Sequence, residues 1–177
     1  MNIVFLFANN KLGFKKFGGE IIKEVEGTPF CHFAILYDDK KEQTVYEAVF
    51  PRSRKIPYSE WLKEYEVHTI FHFKAPSEES MSIYKTFLDS LINKIYAFDQ
   101  CVWIAFCIWF KIRKTIQEKV KLNGSKSIIC TELGYLFTKK FFNFDLINIY
   151  NTDRVDLRDM FSISLILKAN NKELSHE

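Results

Sequence analysis

Cys130, His32 and Glu47 are three side chains that together could make a thiol nucleophile, its base and the carboxylate that orients the base. A thiol attacks a carbonyl only as thiolate, and a helix N-terminus or a neighbouring imidazole is what lowers its pKa enough. Cys130 follows the apolar pair Ile128-Ile129 and opens a predicted helix over Thr131–Lys140 (TELGYLFTKK). The first-turn N–H groups of that helix would point at the sulfur and at an oxyanion. A single cysteine is more often a buried structural thiol, so the case for chemistry depends on what stands beside it.

His32 and Glu47 supply that neighbour. Two β-rich runs, Phe30–Tyr37 and Thr44–Phe50, flank the polar cluster Asp38-Asp39-Lys40-Lys41, which reads as a hairpin turn. With those four residues as the loop, Tyr37 pairs with Glu42 and His32 falls opposite Glu47 on a face that otherwise carries Ala34, Leu36, Val45 and Val49. A carboxylate bonded to one ring nitrogen would fix the tautomer and leave the other to take a thiol proton. Taken singly, His32 reads as a hydrogen-bonded core histidine and Glu47 as a carboxylate at a wet strand edge. Cys31 precedes His32, and strand alternation would turn it to the opposite face, so it is not the expected nucleophile.

The elements that must position these groups follow from periodicity. The opening run Asn2–Ala8 reads as a strand, and Phe17-Gly18-Gly19-Glu20 leads into a short helix that ends near Gly27-Thr28-Pro29. Tyr58–Tyr65 reads as a brief helix and Val67–Phe73 as another strand. Met81, Tyr84, Leu88, Leu91 and Ile95 recur at helical steps, with Ser77 as the N-cap and Glu78 and Glu79 in the first turn. A further helical region is expected over Val102–Val120, and the tail after Ala169 is expected to fray.

Composition sets the class. The chain has 177 residues, 47% of them hydrophobic, with 18 Phe and only 6 Gly, which suits one domain with an aromatic core. A net charge of +3 is too mild a field to argue for nucleic acid. The spacing of Cys31, Cys101, Cys107 and Cys130 matches no zinc framework, and reduced thiols are expected. His68 and His72 share one strand face without an acidic or thiol partner and read as surface histidines, so no metal is expected. The apolar start lacks a basic n-region and does not read as a signal peptide, which suggests a cytoplasmic protein or one carried in a larger assembly. Cys101–Phe110 (CVWIAFCIWF) is too short to span a bilayer. It would pack over the site, or meet a membrane surface or a protein partner.

The runs Thr28-Pro29-Phe30-Cys31-His32-Phe33-Ala34-Ile35, Val45-Tyr46-Glu47-Ala48-Val49 and Ile56-Pro57-Tyr58-Ser59-Glu60-Trp61-Leu62 resemble the circularly permuted NlpC/P60 cysteine hydrolases of the YiiX/YaeF-like kind. Ile128-Ile129-Cys130-Thr131-Glu132-Leu133 is similar to that family's C-S/T-E-L segment, and Ile95-Tyr96-Ala97-Phe98-Asp99 to its Y-D region, where Asn93 stands in place of an expected Gly. The resemblance runs from about residue 17 to about residue 160 in the order His, Glu, Cys.

It implies an α+β, papain-like fold, with an antiparallel β-sheet or partly open barrel packed against helices. It also implies Cys130 as nucleophile, His32 as base, Glu47 as orienting group and Tyr96 near the oxyanion, with no cofactor. The expected function is a cysteine peptidase or amidase that cleaves an amide or ester through an acyl-enzyme, in a peptide, cell-wall fragment or acyl-lipid. Two other readings stand beside it: a lipid-acting acyltransferase or acyl hydrolase at a membrane surface, and a non-catalytic binding protein on the same scaffold.

Overall fold

The computed structural model describes residues 1–11, 13–39, 42–97, 106, 110, 127–142 and 155–170; the side chains of residues 13–17 and of Ser127 are not described. Seven strands and five helices lie within these residues: β1 Asn2–Asn10, α1 Gly13–Glu26, β2 His32–Asp38, β3 Gln43–Glu47, β4 Arg54–Pro57, α2 Tyr58–Glu64, β5 Tyr65–Lys74, α3 Glu78–Ser90, β6 Ile95–Tyr96, β7 Ser127–Ile128, α4 Cys130–Phe141 and α5 Leu157–Ala169. The protein is α+β. Five strands form an open antiparallel sheet in the order β4-β3-β2-β1-β5, and β6 and β7 form a separate parallel pair. The expected helical region over Val102–Val120 lies outside the described residues, as do Cys101 and Cys107.

Strand alternation divides the sheet between two cores. Ile3, Phe5 and Phe7 of β1, with Phe33, Ile35 and Tyr37 of β2, pack against α3, α4 and α5 through Tyr84, Leu88, Leu133, Phe137, Met160 and Ile163. Val4, Leu6 and Ala8, with Ala34 and Leu36, pack on the other face against Trp61 of α2 and Tyr65. The first face is rich in aromatic rings. Phe5 lies edge-on to Phe33 at 5.3 Å, and Phe7 to Phe33 at 5.1 Å. Gly134 lets α4 approach this closely, because a Cβ there would lie 2.4 Å from the Phe33 ring.

Three expectations change. The helix bearing Met81, Tyr84 and Leu88 stops at Ser90, so Ile95 is not on its buried stripe but in β6, 54% exposed. The break falls at Asn93, whose φ of 65° is the left-handed conformation that glycine adopts most easily and asparagine tolerates. The second run forms a strand only over Gln43–Glu47, not to Phe50. Helix α5 was not anticipated at all, although Asp156 and Asp159 form a reciprocal capping box at its start.

Ser77 does cap α3, accepting from the Ser80 N–H. Among the described residues no helix is long and apolar enough to cross a membrane.

Candidate active site

The β2–β3 hairpin closes one step later than its sequence suggests. Asp38 pairs with Gln43 and Ile35 with Tyr46, so Tyr37 lies opposite Thr44 rather than Glu42. The cause is the turn itself: the Asp39 N–H donates to the Glu42 carbonyl, and the Asp39 carboxylate accepts from the Glu42 N–H at 2.8 Å. Asp39 thereby draws Glu42 into the turn. His32 is therefore not directly opposite Glu47. The register differs by two residues, however, and a slip of two keeps every side chain on its expected face where a slip of one would not.

The β2–β3 ladder ends at Ile35–Tyr46, and beyond it His32 reaches across on the diagonal. Its Nε2 lies 2.7 Å from Glu47 Oε2.

Glu47 is completely buried, not at a wet edge. Oε2 also accepts from the Trp61 indole N–H at 3.0 Å, and Oε1 accepts from Arg54 Nε at 2.7 Å. Arg54 faces Glu47 directly in the β3–β4 ladder and donates through Nη2 to Glu64 at 3.0 Å. Burial alone would raise the Glu47 pKa, but the hydrogen bond and charge of His32 and the Arg54 guanidinium outweigh it and hold it at about 2. The imidazole is fixed sideways as well as end-on. The Tyr65 ring stacks on it at 4.7 Å and 15°, and Trp61 stacks on Tyr65 at the same distance. With Nε2 taken by Glu47, Nδ1 is the ring nitrogen left for a proton to be exchanged.

Cys130 is delivered from the other layer. Strand β7 pairs Tyr96 with Ile128, and the Ala97 N–H donates to the Ile128 carbonyl, which sets the chain two residues before the thiol. The Tyr96 N–H in turn donates to the Pro51 carbonyl, so β6 ties the segment after β3 to the strand that leads into Cys130. Cys130 is the first residue of α4. Its N-cap, Ile129, is extended and makes no side-chain cap hydrogen bond. Thr131 fixes this helix start by donating to the Val155 carbonyl just ahead of α5.

Helix α4 packs on the sheet face opposite the one that carries His32. The two groups nonetheless line one cavity of about 570 Å³, together with Tyr96, Tyr65 and Cys31. Both reach its wall from element ends: His32 is the first residue of β2 and Cys130 the first of α4. Much of the remaining wall is apolar: Ile21, Ile22 and Val25 of α1, Ala48, Val49 and Phe50 after β3, and Val155 and Leu157.

Neither a protein-family model nor a curated protein matches the chain. What the site can do must therefore be read from its own side chains.

Cys31 was expected on the opposite face from His32, yet both line the cavity. Alternation does not apply, because β2 begins only at His32. A different reason keeps Cys31 a poor nucleophile: burial pushes its thiol pKa up, against weaker opposing effects from Asn10 and Lys23. Neither cysteine is in a disulfide.

Arg54, Tyr65 and the role of Trp61 were not recognised from sequence. The spacing of Glu47 and Arg54 across a short hairpin was the available signal.

Glu26 and Asp156 also line the cavity. Glu26 accepts from the Leu157 N–H at 2.9 Å. Burial first, and the neighbouring Asp156 charge second, raise its pKa to about 8. His68 and His72 are exposed, and no group of three potential metal ligands occurs among the described residues. Of Cys101–Phe110, only Phe106 and Phe110 are described; both are exposed, their rings 4.5 Å apart.

Proposed function

We propose that this protein is a cysteine-nucleophile hydrolase on a papain-like, permuted NlpC/P60 scaffold, with Cys130 attacking, His32 as base and Glu47 orienting it. One observation carries the reading: a thiol at an uncapped helix start and a carboxylate-bound imidazole line the same cavity. In the reaction, His32 takes the Cys130 proton and the thiolate adds to an amide or ester carbonyl. The first-turn N–H groups of α4 face the developing oxyanion, with Tyr96 at the same cavity. The imidazolium then protonates the leaving amine or alcohol, the C–N or C–O bond breaks, and an acyl-enzyme remains. Water, deprotonated by His32, adds to that thioester and releases the acid together with the thiol.

A second reading, acyl transfer from a lipid-like donor, is favoured by the apolar wall formed by Ile21, Ile22, Val25, Val49 and Phe50. There an alcohol or amine replaces water in the second step. Incubation with a medium-chain p-nitrophenyl ester and with a peptide anilide distinguishes the substrates, and Cys130→Ala must abolish release from either. Release that survives Cys130→Ala would overturn the assignment.

A further inference from the structure

A carboxylate as deeply buried as Glu47 needs its charge balanced. Arg54 does this from the opposite strand, and its side chain and that of Glu64 are each about one-third exposed, at 33% and 34%. A line of alternating charge therefore runs from the buried carboxylate outwards: Glu47, Arg54, Glu64. The other titratable groups on Glu47 are His32 from β2 and Tyr65 from β5. Burial and the Glu47 charge keep the Tyr65 phenol protonated, and the Trp61 N–H is neutral, so neither offsets the carboxylate.

Were Glu47 to act on the imidazole alone, its full negative charge would hold a proton on the ring. A base that must pass that proton on needs it held less firmly.

We propose that Arg54 is a positioning residue of this site, which fixes the Glu47 carboxylate and, by cancelling part of its charge, sets the pH range over which Cys130 and His32 react. The proposal rests on the reading of those two residues as nucleophile and base. Glu64 has the opposite influence, because it cancels part of Arg54. Removing the cation should therefore move reactivity to higher pH, and removing the outer carboxylate should move it to lower pH. A merely structural role for the pair predicts loss of stability in both variants without opposed shifts.

The test is the rate of Cys130 alkylation by iodoacetamide, mapped by peptide mass spectrometry across pH, for the full chain and for Arg54→Met, Arg54→Lys and Glu64→Gln. Arg54→Met should raise the midpoint by about 0.5–1 pH unit, and Glu64→Gln should lower it by a smaller amount because both groups are partly solvated. Arg54→Lys should stay near the parent midpoint, since it keeps the charge while losing the fork. Unmoved midpoints in folded variants, or shifts in the same direction, would overturn the proposal. If Arg54→Met does not fold, Glu64→Gln, at a side chain one-third exposed, decides alone: a lower midpoint supports the proposal and an unmoved one ends it.

Failure of the nucleophile reading looks different. In that case His32→Ala leaves Cys130 alkylation unchanged, whereas failure of the Arg54 proposal leaves the His32 dependence intact.

Discussion

On the sheet side of the cavity, His32 is held by other side chains: Glu47 at Nε2, Tyr65 on its face, and Trp61 and Arg54 behind the carboxylate. On the helix side, Cys130 is placed mostly by main chain, through the β6–β7 pairing and the start of α4, with the Thr131 hydroxyl on the Val155 carbonyl as one side-chain anchor. The base is thus built from a charge network that single substitutions can disturb. The thiol's surroundings come from backbone dipoles that no side-chain change removes. Function should therefore be brittle on the sheet side, and the oxyanion end should survive most substitutions around it.

The largest expected effect separates the two halves outright. His32→Ala should lower acyl turnover by about 10²–10⁴-fold, because general-base assistance is lost while the α4 N-terminus is untouched. Cys130 alkylation should fall as well near neutral pH. Steady-state turnover and alkylation on one protein preparation check both, with circular dichroism confirming the fold.

Glu47→Gln probes the network behind the base. The amide can still accept at its oxygen but presents N–H to one of the donors now on Oε1 and Oε2, inside a site with no exposure. Loss of about 2–4 kcal/mol of stability, together with reduced turnover, is expected from breaking a buried ion pair. Chemical denaturation measures the first and initial rates the second.

The same carboxylate gives an acid limb to stability. Its pKa is lowered from 4.5 to about 2 in the fold, so its contribution is present above 4.5 and is lost as pH falls through 2. Glu26 behaves oppositely: raised from 4.5 to about 8, it favours the fold fully below 4.5, and that contribution is lost as pH rises through 8. Glu26→Gln should therefore flatten the alkaline limb, with a gain of about 1–2 kcal/mol above pH 8. Thermal melts from acid to alkaline pH test both signs.

The smallest effect is Trp61→Phe, which removes one donor from Glu47 while largely keeping the stack on Tyr65. A cost of about 1–2 kcal/mol and a modest drop in turnover are expected.

Much of this arrangement is legible in the chain because it depends on period. The apolar alternation of β2 and β3 puts His32 and Glu47 on one face even though the turn falls one residue later and the register differs by two, since Asp39 captures Glu42. The α4 start was readable from Ile128-Ile129 ahead of Cys130. What escaped depends on three-dimensional proximity. Arg54 becomes visible only once the β3–β4 register is known, and Tyr65 only once β5 closes against β1 with α2 above it. The approach of Cys31 to the cavity follows from β2 starting two residues later than Phe30, a boundary that periodicity does not resolve.

The most direct test of the central claim is intact-protein mass spectrometry, with peptide mapping, after brief exposure to an activated acyl ester at neutral pH. The account predicts a single acyl adduct on Cys130 that forms more slowly in His32→Ala and not at all in Cys130→Ala, while Cys31 stays unmodified. Acylation first at Cys31, Cys101 or Cys107, or an adduct on Cys130 that forms equally fast without His32, would contradict it.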